Sequence, residues 1–230
     1  MARTTKQADG GGNPRRLPSG GGPPLPPPRA LVQLPAAWYR RPALRVARDL
    51  LGTYLVRRAG RELLIGRIVE VEAYRGAGDP ASHAFRGKTP RNAAMFAGGG
   101  RLYVYFTYGM HFCANVVTGT GRDGQAVLLR ALEPVAGTAR MRRNRGLGRS
   151  ADPRLLCSGP ARLCQAMGIT RGHNGTDLLG TEIWVGRDPA ARPASVTATT
   201  RVGIRHGRHH RWRFLLRDNP FVSRGKPAVP

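Results

Sequence analysis

The chain has 230 residues and sets 38 Lys and Arg against 13 Asp and Glu, a net charge of +25. That length suffices for the core of one ordinary domain, and a field of this sign repels basic partners and attracts polyanions, nucleic acid first among them. Residues 1–30 hold five basic side chains and one acid, a net +4, which leaves +21 of the +25 on the remainder, so the folded part is itself basic.

Only three of the 38 cations are lysines (Lys6, Lys88 and Lys226). Arginine suits phosphate because its planar fork donates two parallel hydrogen bonds; a GC-rich genome gives the same bias. Three cysteines, Cys113, Cys157 and Cys164, are an odd number in a chain that needs no staples, which predicts free thiols in a reducing compartment. Neither the apolar core of a secretory signal nor a run of about 18 apolar residues is present. A cytoplasmic, nucleoid-associated protein with no membrane contact is expected.

Residues 1–30 contain seven Pro and six Gly, with almost nothing to bury, and predict a disordered tail ahead of one domain over residues 31–230. Val46, Leu50, Leu51 and Leu55 recur at helical spacing, so a helix is predicted over residues 42–52. Period-two alternation then predicts a hairpin, residues 54–56 and 63–74, turning at Ala59-Gly60. In its second strand Val69, Val71 and Ala73 share one face while Glu70, Glu72 and Tyr74 share the other.

Residues 76–100 read as a long loop with one helical turn at 92–96, and long ordered loops are usually functional. Strands follow at 101–108, 111–117 and 126–132, then an Arg-rich helix or loop over 137–154. Ser158 as cap, Pro160 in the first turn and Gly168 after Met167 predict a helix. Short strands at 181–185, 198–204 and 211–216 close the chain. The expected fold is α+β: a curved, largely antiparallel sheet flanked by helices.

Two carboxylates and a phenol on one strand face, Glu70, Glu72 and Tyr74, are either a solvated edge or a site, since hydrolysis by water needs a carboxylate to orient and deprotonate it. Tyr103, Tyr105 and Tyr108 are half of the six tyrosines; they read as a sheet stripe or as stacking surfaces, with Tyr108 exposed at a hairpin tip beside Gly109. His83 in the long loop is structural or stacks on a ligand. His206, His209 and His210 lie in a run of arginines, and Cys157 and Cys164 are poorly spaced for zinc, so no metal site is predicted.

Longer motifs narrow these readings. Residues 70–74 (Glu-Val-Glu-Ala-Tyr), 79–83, 86–92 (Arg-Gly-Lys-Thr-Pro-Arg-Asn), 102–105, 108–110, 128–134, 157–166, 201–204 (Arg-Val-Gly-Ile) and 219–223 together resemble the alkyladenine (3-methyladenine) DNA glycosylase family, over about residues 35–224. The resemblance implies a single α+β domain without metal or organic cofactor, acting on double-stranded DNA with damaged purines. It implies Glu72 as general base, with Arg130 organising the attacking water. Tyr74, His83, Tyr105 and Leu128 would form the pocket for the flipped base, Asn115 would crowd the exocyclic amino group of guanine, and Tyr108 would fill the emptied stack.

Arg86, Lys88 and Arg91 are read as contacts to the DNA backbone. Alkylated purines, 3-methyladenine and related bases with hypoxanthine a further candidate, are the expected substrates. Strand-cutting glycosylases use an amine, and lysines are scarce here, so direct hydrolysis by a monomer is favoured. A non-enzymatic DNA-bending protein and a metal-dependent nuclease are the competing classes.

Overall fold

In the computed structural model, which describes residues 31–107, 109–192 and 195–225, strands dominate. They are β1 (Val32–Gln33), β2 (Tyr54–Ala59), β3 (Glu62–Tyr74), β4 (Leu102–Thr107), β5 (His111–Thr118), β6 (Gln125–Ala136), β7 (Ile183–Arg187), β8 (Val196–Thr199) and β9 (Arg213–Leu216). They join one antiparallel sheet in the order β1-β7-β2-β3-β6-β5-β4, and β9 pairs with β3 and β8. The helices are α1 (Ala36–Tyr39), α2 (Ala43–Leu50), α3 (Thr138–Asn144), α4 (Arg154–Cys157) and α5 (Pro160–Met167). The α+β class expected from the sequence is therefore the one observed. The tail predicted over residues 1–30 lies outside the described residues, and so does Tyr108.

The hairpin of β2 and β3 pairs from Tyr54 opposite Arg67 to Ala59 opposite Glu62. Val46 and Leu50 on α2, and Leu163 and Met167 on α5, pack with Leu64, Ile68, Val71 and Leu129 in one buried cluster on one face of the sheet. This burial supplies the main drive to fold, since apolar area removed from water stabilises at about 25 cal/mol per Å².

Two irregularities decide what the opposite face carries. Ile68 pairs with Leu132 and Glu70 with Ala131, which leaves Val69 unmatched; Val71 pairs with Leu129, which leaves Arg130 unmatched on β6. Because side chains alternate, one extra residue reverses which face the rest of a strand presents. Leu64 and Ile68 enter the core before the bulge, and Val69, Val71 and Ala73 enter it afterwards. Without that inversion Glu70 and Glu72 would point into the apolar core. With it, they share the other face with Tyr74.

Of the boundaries that differ from those predicted, two bear on the site. The helix expected to be capped by Ser158 is capped by Gly159, whose φ of 132° makes a bend that a side chain would strain; the Ser158 hydroxyl instead accepts from Arg162 Nη1 at 3.3 Å. The strand expected over 198–204 stops at Thr199. Beyond it residues 202–206 run along a cavity, and Arg201 becomes wholly buried.

Candidate active site

The solvated-edge reading of the two glutamates is overturned: Glu70 and Glu72 are both 0% exposed. A buried carboxylate persists only when its charge is met by donors, and each has its own set. Glu70 Oε1 accepts from Arg130 Nε (2.9 Å), Arg213 Nε (2.7 Å) and the Ser223 hydroxyl (3.0 Å), while its Oε2 accepts from the Ser223 backbone N–H (2.7 Å). Every bond thus goes to groups on β6, β9 and the C-terminal segment.

Glu72 faces differently. Its Oε1 accepts from the Val202 backbone N–H at 2.7 Å and lies 3.3 Å from Arg130 Nη1, and its Oε2 accepts from the Tyr74 hydroxyl at 2.9 Å. Unlike Glu70, it lines an open cavity of about 510 Å³, a volume within the roughly 300–1,000 Å³ of small-molecule sites. Burial opposes the charge on Arg130, but Glu72 and Glu70 outweigh it and hold its pKa above the ordinary value. Tyr74 is held far above the usual phenol range, first by burial and then by the charge of Glu72, so it stays protonated and donates.

The sequence-predicted residues come together here. Glu72 and Arg130, with Tyr74, His83, Tyr105, Asn115 and Leu128, all line this cavity. Strand register explains the clustering: Asn115 sits opposite both Tyr103 and Leu128, and Leu128 opposite Glu72, so adjacent strands present neighbouring residues to one face. Asn115 is fixed by donating its Nδ2 to the Tyr103 carbonyl at 3.1 Å.

The aromatic wall is ordered. Tyr105 stacks on Tyr103 with centroids 5.5 Å apart and meets the His83 ring edge-on at 4.5 Å. His83 Nδ1 is 3.0 Å from the Tyr103 hydroxyl. Burial, and then Arg91, push the His83 pKa below 6.5, which keeps the ring neutral at pH 7. Burial also raises the Tyr103 phenol to about 12. Of the three residues assigned to the DNA backbone, Arg91 lines the cavity, whereas Arg86 and Lys88 are exposed beyond it.

Sequence reasoning missed Tyr103 as a pocket residue, and it missed Val202 to His206, which form one wall. The motif Arg201-Val202-Gly203-Ile204 was the available signal for that wall. Of His206, His209 and His210, His206 lines the cavity, the His209 ring centroid lies 4.0 Å from that of His210, and His210 stacks flat on Trp212 at 3.9 Å. Among the described residues no group of three or more His, Cys, Asp or Glu is placed to hold a metal ion, and no helix is long and apolar enough to cross a membrane.

An occluded carboxylate with a guanidinium beside it, opening on a tyrosine-lined cavity in a basic surface, is equipped to activate water next to a flat aromatic ligand. Residues 37–220 match the methylpurine-DNA glycosylase (MPG) family. A relative from Burkholderia lata is 50% identical over 192 residues, 83% of this chain and 90% of its own length. One from Carboxydothermus hydrogenoformans is 49% identical over 192 residues (83% and 98%), and one from Methanoculleus marisnigri 49% over 196 residues (84% and 100%). All three bear the name 3-methyladenine DNA glycosylase. This chain belongs to the methylpurine-DNA glycosylase family: it is a DNA-repair glycosylase, a hydrolase of N-glycosyl bonds.

Proposed function

We propose that the enzyme draws an alkylated purine such as 3-methyladenine out of duplex DNA into the 510 Å³ cavity and releases it with a water activated by Glu72. The observation that carries this reading is the asymmetry of the two buried glutamates. Glu70 is saturated by four donors, and of the two glutamates only Glu72 borders open space.

A water between Glu72 and the anomeric carbon gives its proton to the carboxylate as the C–N bond lengthens, and the sugar passes through an oxocarbenium-like state. Arg130 holds the water and the carboxylate in register. An alkylated purine carries positive charge, so it leaves without a proton and stacks favourably on Tyr74 and Tyr105. A neutral His83 adds no repulsion to that cation. Asn115 crowds the exocyclic amino group of guanine, and Leu128 forms the floor. Hypoxanthine, being neutral, has to acquire a proton before it can leave.

Tyr108 is assigned to the emptied stack, and Arg86, Lys88 and Arg91 to phosphates flanking the lesion. A Schiff-base route needs an amine. Among the described residues Lys88 is the one lysine, and it does not line the cavity, which supports direct hydrolysis.

The test is incubation with duplexes carrying 3-methyladenine, 7-methylguanine, hypoxanthine or no lesion, in EDTA, with base release and strand nicking assayed separately. Free base from intact strands is expected, and Glu72→Gln should lower release by about 10²–10⁴-fold while retaining DNA binding. Undiminished release by Glu72→Gln would remove Glu72 from the chemistry. Tight binding with no release from any duplex would favour a DNA-bending role.

A further inference from the structure

We infer that Arg201, paired with Asp79, is a positioning residue for base excision: the buried pair fixes the Val202 N–H that orients Glu72 and the ring of Tyr74 that receives the base. The inference rests on the proposed role of Glu72 as the base.

Arg201 and Asp79 are each 0% exposed, and neither lines the cavity. The guanidinium grips the carboxylate with both ends, Nη1 to Oδ2 at 2.5 Å and Nη2 to Oδ1 at 2.8 Å, and Nη1 also donates to the Ala73 carbonyl at 3.1 Å. That carbonyl belongs to the residue between Glu72 and Tyr74. Asp79 is pinned in turn by the backbone N–H groups of Ala81 (3.1 Å, to Oδ1) and Arg75 (3.3 Å, to Oδ2), where the chain leaves β3 and enters the loop carrying His83.

The guanidinium carbon sits 4.7 Å from the centroid of the Tyr74 ring and 5.0 Å from that of Trp212. The next residue along the chain, Val202, donates to Glu72 at 2.7 Å. One rigid fork thus ties together the end of β3, the loop bearing one cavity wall and the segment bearing the other.

A fully buried ion pair is weak evidence of stabilisation, because desolvating both charges offsets most of their attraction. What the bidentate fork supplies is a fixed direction, which an apolar pair of equal volume lacks. Displacing a catalytic group by about 1 Å costs on the order of 100-fold in rate. Loss of the fork frees Val202 and Tyr74 together, and with them two of the three donors that set the Glu72 carboxylate.

The test uses the full chain and single-turnover excision of 7-methylguanine from duplex DNA. Active enzyme is titrated on a duplex carrying a tetrahydrofuran abasic analogue. Arg201→Lys retains the charge but not the fork, and Asp79→Asn retains the shape but not the charge. Both are expected to lower the single-turnover rate constant at least about tenfold, with the titrated active fraction and the affinity for the analogue changed less than about twofold.

If the pair served stability alone, the melting temperature and the active fraction would fall while the rate constant per active molecule stayed at the wild-type value; that outcome overturns the inference. The double variant Asp79→Asn with Arg201→Met leaves no uncompensated buried charge and keeps the comparison readable should the single variants not fold. Glu72→Gln in the same assay separates the two ideas. If it is as active as wild type, the proposed reading fails; if it is inactive and Arg201→Lys is at the wild-type rate, only the positioning role fails.

Discussion

Replacing Glu70 by Gln isolates the structural half of the carboxylate pair. Glu70 is 0% exposed, and its neighbours Arg130 and Arg213 have side chains only 7% and 4% exposed. Gln keeps the volume but removes the charge facing two guanidinium groups, and it turns one acceptor oxygen into a donor aimed at other donors. Breaking a buried pair by removing one partner costs about 3–5 kcal/mol, because the remaining charge stays buried. In a domain of this size each kcal/mol moves the melting temperature by about 2–4 °C, so Glu70→Gln should melt about 6–20 °C below wild type.

The control is Glu62→Gln. Glu62 also meets two arginines, Arg140 at 3.6 Å and Arg143 at 3.4 Å, but its side chain is 48% exposed. Exposed pairs contribute about 0–1 kcal/mol, so this variant should melt within about 4 °C of wild type. Differential scanning calorimetry at pH 7 and moderate salt reads both. Equal melting temperatures for Glu70→Gln and wild type would refute the idea that Glu70 anchors the site by neutralising Arg130 and Arg213.

Three further outcomes follow from the same structure. Burial raises the thiol of Cys157 to about 12, Cys164 well above its ordinary value and Cys113 above its own, so an aromatic disulfide reagent at pH 8 should find no rapidly reacting thiol in the native protein and three after unfolding; a stoichiometric native burst would contradict this. Gly76 has φ +68°, and a Cβ there would stand 1.6 Å from the Asp123 carbonyl oxygen; Gly76→Ala should fail to accumulate as folded protein, and a wild-type melting curve would sink the reasoning. Burial first and Arg91 second lower the His83 pKa, so an NMR titration should place it below 6.5 and Arg91→Gln should move it upward, since a repelling cation has gone; no upward movement would remove Arg91 as a cause.

The parts of the site that sequence makes legible are those encoded locally. Alternation along residues 69–74 separates Val69, Val71 and Ala73 from Glu70, Glu72 and Tyr74, and the folded strand keeps that division. The bulge that makes the division matter is not local. Ile68-Val69 reads as two apolar residues in a strand, and only pairing with β6, where Arg130 is left unmatched, shows that both enter the core.

Long-range polar partners are hidden for the same reason. Arg201 lies 122 residues from Asp79 and Arg213 143 residues from Glu70, and nothing in the immediate neighbourhood of an arginine tells a solvated one from one in the core. Of the Arg-rich stretch 137–154, residues 138–144 form α3, with Met141 buried, and α4 starts only at its last residue, Arg154. The extended reading of residues 198–204 fails after Thr199, where pairing with β9 ends, and Gly203, at φ +69°, then bends the chain within the cavity wall.

Charge bookkeeping around the site accounts for why acids are placed inside a protein of net +25. DNA is a polyanion, and an uncompensated carboxylate at its surface would repel it at any distance the salt does not screen. Glu70 and Glu72 face Arg130 and Arg213, so the four groups sum to zero, and Asp79 with Arg201 sums to zero beside them. At a distance these neutral clusters add little to the field, which the exposed basic side chains, Arg86, Lys88 and Arg91 among them, keep positive. Of the two glutamates only Glu72 meets the cavity, and it does so beside Arg130. On the proposed reading, a water there would meet the carboxylate in a low-dielectric wall, where a charge acts far more strongly than in bulk solvent. Burial with paired arginines thus keeps the negative charge of Glu70, Glu72 and Asp79 local, as the proposed role of Glu72 requires.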